Sequence, residues 1–401
     1  MSTRAGDPGP HPHAALYAAF DVFPSPKGAA VHIGHAAMTL FDHLGGGLLY
    51  TLGGEALPAY QCEAHPSGGT VEVVRFSEPV ADLPDRIEAF TGRLAPLVAA
   101  HAPTLRVAQA RDPWSLLPIL ALADRGFSTV YEVNGLPSVE LAETHRDLPD
   151  ETLRAIAALE DVCIRGADLL LTPSRVLADH LVGRGAERDR IHVVPNGADV
   201  PDGPPPRPAE APVGRYVVYV GALQHWQGVG TLLRAFARLV DLDDLTLVVC
   251  SAWRVSRTKE LRRLARRLDI EDRVLWRHRV RHHEVAGWLA HADLSVAPLA
   301  PTARNLTQGC CPLKILESMA VGTPVVASDL PAVRELCIDG AHGRLVAAER
   351  PAELARAIRV LLEYDDLRVQ MGAAARAHVA DGLTWDHARA RTLEAYATVS
   401  A

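Results

Sequence analysis

Apolar and polar positions in this 401-residue chain fall into blocks that switch between short apolar runs and a helical period of about 3.6. "AALYAAF", "GLLYTL", "TVEVVRF", "TLRVAQA", "FSTVYEV" and "DLLLTPS" follow one another, with helical stretches between several of them, one near Ala29 to Leu44. Short runs of this kind, flanked by turn residues, read as strands. Strand then helix, repeated, predicts a parallel sheet covered on both faces. Residues 196–214, "NGADVPDGPPPRPAEAPVG", are too rich in proline and glycine for a sheet interior and predict a linker. The alternation then restarts with "RYVVYVG", a helix from about Gly228 to Leu239, "LTLVVCS", a basic helix near Lys259 to Leu268, "RVLW", a helix near Glu284 to Ala290, and "DLSVAPL". Helices over 351–364 and 367–380 follow, and "TWDHARARTLEAYATVS" closes the chain as another. The fold class is therefore α/β, with two doubly wound, Rossmann-like parallel sheets facing across a crevice, where such sheets bind ligands.

One segment does not fit a plain packing role. In "CCPLKILESMAVGTPVVASD", residues 310–329, Pro312 opens a helix, while Gly322 and Pro324 stop it before a short buried strand. Leu313, Ile315, Leu316, Met319 and Ala320 cover most of the circumference, and Lys314, Glu317, Ser318 and Val321 share what remains. A buried helix rarely carries charge without a partner, and a lysine in the first turn opposes the helix dipole. An anion at the helix mouth removes both objections. The N-terminus should face the crevice, where its amides make a phosphate site with Lys314 as a second donor. Glu317, one turn deeper, can accept two hydrogen bonds from neighbouring hydroxyls, as on a ribose. The plain alternative is an internal Lys–Glu pair.

Composition narrows the classes. Hydrophobic residues make up 48% and charged residues 22%, an ordinary globular balance. A formal charge of −7 argues against nucleic acid or an acidic membrane as main partner. Six cysteines show no CxxC or cysteine–histidine spacing, so neither a disulfide framework nor a zinc module is expected. No apolar run approaches a membrane span. "MSTRAGDPGPHPH" lacks the apolar core of a signal peptide, and the expectation is a soluble, cytoplasmic protein with no metal. The expected division is a disordered lead-in over 1–13, a first domain over 14–198, a linker over 199–214, a second domain over 215–383, and a helix over 384–401 that crosses back.

Other candidates sit at strand ends, where binding residues gather. Lys27, Gly28 and Ala29 begin a helix whose amides would face the crevice. "QARDPW" puts Arg111 and Asp112 at the same rim, and "YEVNGLPS" adds Glu132 and Asn134. "DLDD" at 241–244 looks like a metal-binding acidic triplet but follows a helix and precedes a strand, so it is read as a turn. "HRVRHHE", around His278 to Glu284, is read as solvated loop, and Cys310 and Cys311 are adjacent, poor geometry for a disulfide.

"VYVGALQHWQGVGTLLRAFARL", "VVPNGADV" and "PLKILESMAVGTPVVASDLPAVRELCIDGAHGRLV" resemble the C-terminal domain motifs of glycosyltransferase family 4, retaining enzymes with the GT-B fold. "DVFPSPKGAAVHIGH" is similar to the glycine loop of the N-terminal domain, "YEVNGLPS" to its acceptor-side loop, and "TWDHARARTLEAY" to the crossing helix. The resemblance implies a metal-independent, retaining transferase of hexosyl type, with a nucleotide-diphosphate sugar as co-substrate and no further cofactor. Its acceptor would be a small metabolite, a lipid-linked glycan or a peptide. Glu317 would hold the ribose, Lys314 and the helix mouth the diphosphate, with Gly221, Gln227, Gly309 and Cys310 in the donor loops. Glu132, Asn134 and Asp112 would stand at the catalytic position, and Lys27, Gly28, Ala29 and Arg111 on the acceptor side. The family usually has a second glutamate where this chain has Gly309, and an arginine and a lysine where it has Ala222 and Gln227. Arg304 and Gln308 are the substitutes at hand. A sugar-nucleotide epimerase, using Glu132, Asp112, His32 or His35, and a non-enzymatic partner that kept the fold are the rival readings.

Overall fold

In the computed structural model, residues 12–54, 56–145, 147–252 and 255–399 are described; positions 1–11 of the expected lead-in lie outside them. The first sheet contains β1 (Ala15–Val22), β2 (Gly47–Leu52), β3 (Tyr60–Ala64), β4 (Thr70–Phe76), β5 (Val107–Ala110), β6 (Ser128–Glu132), β7 (Leu169–Thr172) and β8 (Ile191–Val193). Their order is β3-β4-β2-β1-β5-β6-β7-β8, parallel throughout except that β3 runs antiparallel to β4. The second sheet contains β9 (Tyr216–Val220), β10 (Thr246–Ser251), β11 (Val274–His278), β12 (Leu294–Ala297), β13 (Val325–Ser328) and β14 (Gly343–Val346), in the order β11-β10-β9-β12-β13-β14.

Each sheet reverses its direction of growth beside its first strand: β1 pairs with β2 and β5, and β9 pairs with β10 and β12. The loops leaving these strands diverge there and open a crevice. The strands read as apolar runs because helices cover both faces. Tyr17 in β1 and Tyr219 in β9 are fully buried, and a buried phenol needs a hydrogen-bond partner. Tyr17 donates to Glu132 at 2.9 Å, while Tyr219 donates to the Ala222 carbonyl and accepts from Lys314 at 2.9 Å. Core tyrosines thus reach the groups at the strand ends.

Three strands were not expected. β3, "YQCEA", is a largely exposed antiparallel edge strand, so it lacks an apolar run. β8 and β14 are short edge strands of three and four residues that extend sheets already nucleated by their neighbours. "DLDD" is a turn, and Asp241 there accepts two 2.7 Å bonds from Arg359.

The Trp385–Tyr396 helix places Ala395 and Tyr396 among Ile33, Phe41 and Leu171 in the first-domain core. The chain enters it beside its own earlier crossing, where Ala198 bridges Thr384. Gly197 allows the two backbones to touch: a Cβ there would stand 2.2 Å from the Trp385 amide nitrogen. Gly197→Val is therefore expected to cost about 1–3 kcal/mol through overpacking. The measurement is the chemical-denaturation midpoint; an unchanged value would mean the crossing is not under this constraint.

Candidate active site

The Leu313–Ala320 helix is entered through Pro312, whose extended backbone forms the N-cap. Its first amides have no acceptor inside the helix, and Pro312, Leu313, Lys314 and Glu317 line a cavity of about 400 Å³ between the domains. That volume is in the range of small-molecule sites. Lys314 Nζ donates to Tyr219 Oη at 2.9 Å and to Gln227 Oε1 at 2.5 Å, and sits 4.2 Å from the centre of the Tyr219 ring. Gln227 occupies a position where the family usually has a cation, and here its side-chain carbonyl holds Lys314. Gly221 makes the approach possible: its φ is +142°, and a Cβ there would lie 2.8 Å from Lys314 Nζ. Glu317 meets His282 Nδ1 at 3.5 Å, so the "HRVRHHE" segment reaches the cavity through a side chain. Val280, His282 and Val285 line the cavity beside Cys250 and Ala252.

Lys27, Gly28, Ala29, His32, Arg111 and Asn134 form the facing wall. The two walls approach closely at the mouth, where a Cβ on Gly28 would stand 3.2 Å from Leu313 Cδ1. Glu132 lies behind this wall and is 4% exposed, enclosed by donors. Tyr17 Oη and Gln109 Nε2 donate to Oε2 at 2.9 and 2.7 Å, and Asn134 Nδ2 and His32 Nε2 lie 2.5 and 2.7 Å from Oε1. Burial alone would raise its pKa, but the charge and hydrogen bond of His32, with Arg111 and Tyr17, hold it below the ordinary value. Glu132 acts on the crevice through His32, which faces the cavity itself.

Three expectations need correction. Asp112 is no catalytic acid: its side chain caps the Pro113–Leu120 helix, accepting from the amides of Ser115 at 2.9 Å and Phe20 at 2.6 Å. Burial nevertheless pushes its carboxyl up to about 6. Gln308 is fully buried away from the cavity, taking the Leu136 amide at 2.9 Å and reaching Glu140 at 3.3 Å. Gly309 faces the first domain, where a Cβ would lie 2.9 Å from Val176 Cβ. Arg304 lines the cavity, but its Nε is committed to Glu140 at 2.9 Å. Asn196, Gln224 and Ser251 also line the cavity, and the sequence assigned them no role. Among the described residues, no group of three or more His, Cys, Asp or Glu has an arrangement that could hold a metal, and no helix is long and apolar enough to cross a membrane.

Residues 214–364 match the family model described as glycosyl transferases group 1, and residues 48–197 match the glycosyl transferase 4-like domain. The chain belongs to the family 4-like glycosyltransferases. The chain is 31% identical to a D-inositol 3-phosphate glycosyltransferase of Xylanimonas cellulosilytica, over 63% of its own length and 61% of the relative's. A protein of the same name from Streptomyces avermitilis is 29% identical over 79% and 70% of the two chains. The match thus spans about three fifths of the first relative's length. Sucrose-phosphate synthase from Thermosynechococcus elongatus superposes with a TM-score of 0.79 at 18% identity, covering 96% of this chain and 99% of that one. HepE of Anabaena, solved with UDP and glucose, superposes with a TM-score of 0.72 at 19% identity, covering 96% and 99%. The fold is GT-B.

Burial pushes the Lys314 ammonium down to about 7 and the Glu317 carboxyl up to about 7. The raised Glu317 favours a protonated folded form. That contribution to stability is complete below its ordinary value of 4.5 and is lost as pH rises through about 7. The lowered Lys314 acts in the opposite window, complete above 10.5 and lost as pH falls through about 7. Glu317→Gln keeps the shape and removes the charge, so it is expected to stabilise the empty protein at pH 8 by about 1–3 kcal/mol. The gain should shrink towards pH 5, where the native side chain already carries its proton. Thermal denaturation at the two pH values checks this, and a variant no more stable than wild type at pH 8 refutes it.

Proposed function

We propose that this glycosyltransferase moves a sugar from a nucleoside-diphosphate donor, seated on the second domain, to an acceptor hydroxyl approaching along the first-domain wall, with retained anomeric configuration. The observation that carries this reading is that Lys314, Glu317 and the helix mouth all face one cavity, opposite Lys27, His32 and Asn134. Glu317 takes the two ribose hydroxyls, and the helix amides with Lys314 take the diphosphate. Val280, Val285 and Ala252 provide an apolar bed for the base. The donor sugar then points towards His32 and Asn134.

In the transfer, the bond from the anomeric carbon to the diphosphate oxygen breaks and the acceptor oxygen bonds to that carbon on the same face. The acceptor proton passes to the departing phosphate oxygen. No carboxylate pair is needed, and catalysis consists of positioning and of stabilising the leaving charge. Lys314 and the helix mouth supply that stabilisation, which is why the reaction is read as metal-independent. HepE was solved with UDP and glucose, which puts UDP first among the nucleotides to try. The name of the curated relatives puts D-inositol 3-phosphate first among the acceptors. An epimerase would need an open acid or base beside the anomeric carbon. Asp112 and Glu132 are engaged, and both ring nitrogens of His32, which does face the cavity, meet Glu132 and Asn196 at 2.7 and 2.6 Å, which counts against that reading. Gln227 is neutral and only positions Lys314, so it does not replace the cations the family usually has at 222 and 227, and the hydrolysis assay decides between an enzyme and a silent partner.

A thermal-shift panel of UDP, GDP, dTDP and ADP, followed by slow hydrolysis of the responding sugar nucleotides, tests the reading. Glu317→Ala is expected to abolish the shift while the protein stays folded, and a shift of wild-type size would remove the ribose assignment. Lys314→Ala is expected to weaken the nucleoside diphosphate by roughly tenfold or more, with little effect on the bare nucleoside. Equal losses measured by calorimetry would make the lysine structural.

A further inference from the structure

The first-domain wall carries a cation that donor binding leaves without a task. Arg111 follows β5 directly, and its side chain lines the cavity while only 19% exposed. Its nearest carboxylate oxygens are Glu132 Oε1, 3.7 Å from Nε, and Asp21 Oδ2, 4.0 Å from Nη1. Both are beyond hydrogen-bond distance, and among the described residues Nε has no hydrogen-bond partner. Both acids have closer partners than the arginine, although its charge helps to hold the Glu132 carboxyl down. Glu132 is already engaged by Tyr17, Gln109, Asn134 and His32. Asp21 accepts from the Val22 amide at 2.8 Å and lies 3.6 Å from Lys27 Nζ. The guanidinium is therefore held near two acids by charge rather than by hydrogen bonds, at the wall of the cavity.

A guanidinium is a rigid fork that matches the paired oxygens of a phosphate or a carboxylate. Lys27, the more exposed of the two cations, lines the same wall. The cations of the other wall, Lys314 and Arg304, belong to the second domain. The positive charge of the crevice is thus divided between two faces, and the donor diphosphate accounts for only one of them.

We propose that the acceptor carries an oxyanion, a phosphate or a carboxylate, which Arg111 grips through two of its donors while Lys27 draws it in. This rests on the transfer reading above for the role of the wall, and on the Arg111 geometry for the charge. A hydroxyl compound without that group would leave the fork unmatched, and a site built on charged hydrogen bonds discriminates strongly against such a ligand.

The test is calorimetric binding of four probes to the UDP-saturated protein, in two neutral and anionic pairs: myo-inositol with D-inositol 3-phosphate, and glucose with glucuronate. Wild type is expected to bind at least one anionic probe roughly tenfold or more tighter than its neutral match. Comparing the phosphate with the uronate tells which oxyanion the site takes. In Arg111→Gln the preference should disappear, in Arg111→Lys part of it should remain, and the UDP shift serves as the check of folding. Should Arg111→Gln not fold, Lys27→Gln, at an exposed position, is expected to reduce the preference severalfold. No preference in wild type, or an undiminished one in every variant, overturns the proposal. So does a loss of UDP affinity in Arg111→Gln as large as that in Lys314→Ala, because the fork would then serve the donor. If wild type ignores all four nucleotides yet still prefers an anion through Arg111, the transfer reading falls and the oxyanion site stands.

Discussion

Two opposite charges on one face of an eight-residue helix, held apart from each other, set the terms for the rest of the structure. Lys314 turns to Tyr219 and Gln227, and Glu317 turns to the cavity beside His282. Had the two joined, a ligand would have to break a buried ion pair before gaining any contact of its own. Kept apart, each retains unused hydrogen-bonding capacity towards the crevice. The cost is visible in both pKa values, drawn from opposite ends of the scale to about 7. Tyr219 makes the separation possible because its hydroxyl, stranded at the end of a buried strand, needs a donor as much as Lys314 needs an acceptor.

The same economy links distant parts of the chain. Tyr396, near the end of the crossing helix, donates to Gln109 Oε1, and Gln109 Nε2 donates to Glu132 at 2.7 Å. Glu132 meets His32 Nε2 at 2.7 Å, and His32 Nδ1 meets Asn196 Oδ1 at 2.6 Å. Asn196 Nδ2 donates to the carbonyl of Cys311, next to the donor helix, at 2.8 Å. One network of polar groups, each occupied at both ends, therefore runs from the last helix through the first-domain wall to the mouth of the second-domain site. Such networks act as units, because an unpaired member inside the protein is costly. The crossing helix thus orients the site as well as covering the first sheet.

Much of this was legible in the residues. The strands of both sheet interiors stand out as apolar runs, and Lys314 and Glu317 stand out because charge on an apolar helix demands a reason. Asp112 was misread although its signal was present: an aspartate before Pro113, at the start of a helix, is a cap by local chemistry. Gln308 and His282 could not have been assigned in that way. Gln308 ends a short helical segment and His282 opens the His282–Ala290 helix, both in polar stretches, and their partners, Leu136 for one and Glu317 for the other, lie far away along the chain. Edge strands failed for the converse reason, since pairing with a formed neighbour asks little of their own sequence.

Gly309 shows how far a departure from the family pattern can be followed. The loop that would carry a sugar-orienting glutamate instead presses against the first domain, where Val176 leaves no room for a side chain. The same loop sends Gln308 to the Leu136 amide and Arg304 to Glu140. Glu335 reinforces the contact by accepting from the amides of Arg175 and Val176, the first turn of the Arg175–Gly183 helix, at 2.9 and 3.1 Å. Second-domain side chains thus satisfy first-domain helix ends that would otherwise face water or remain unpaired. A glutamate at 309 would have to displace Val176 and so loosen these ties. The residue type at that position is accounted for by the fastening of the two domains, and in the proposed transfer the donor sugar is oriented by the His32 and Asn134 wall instead.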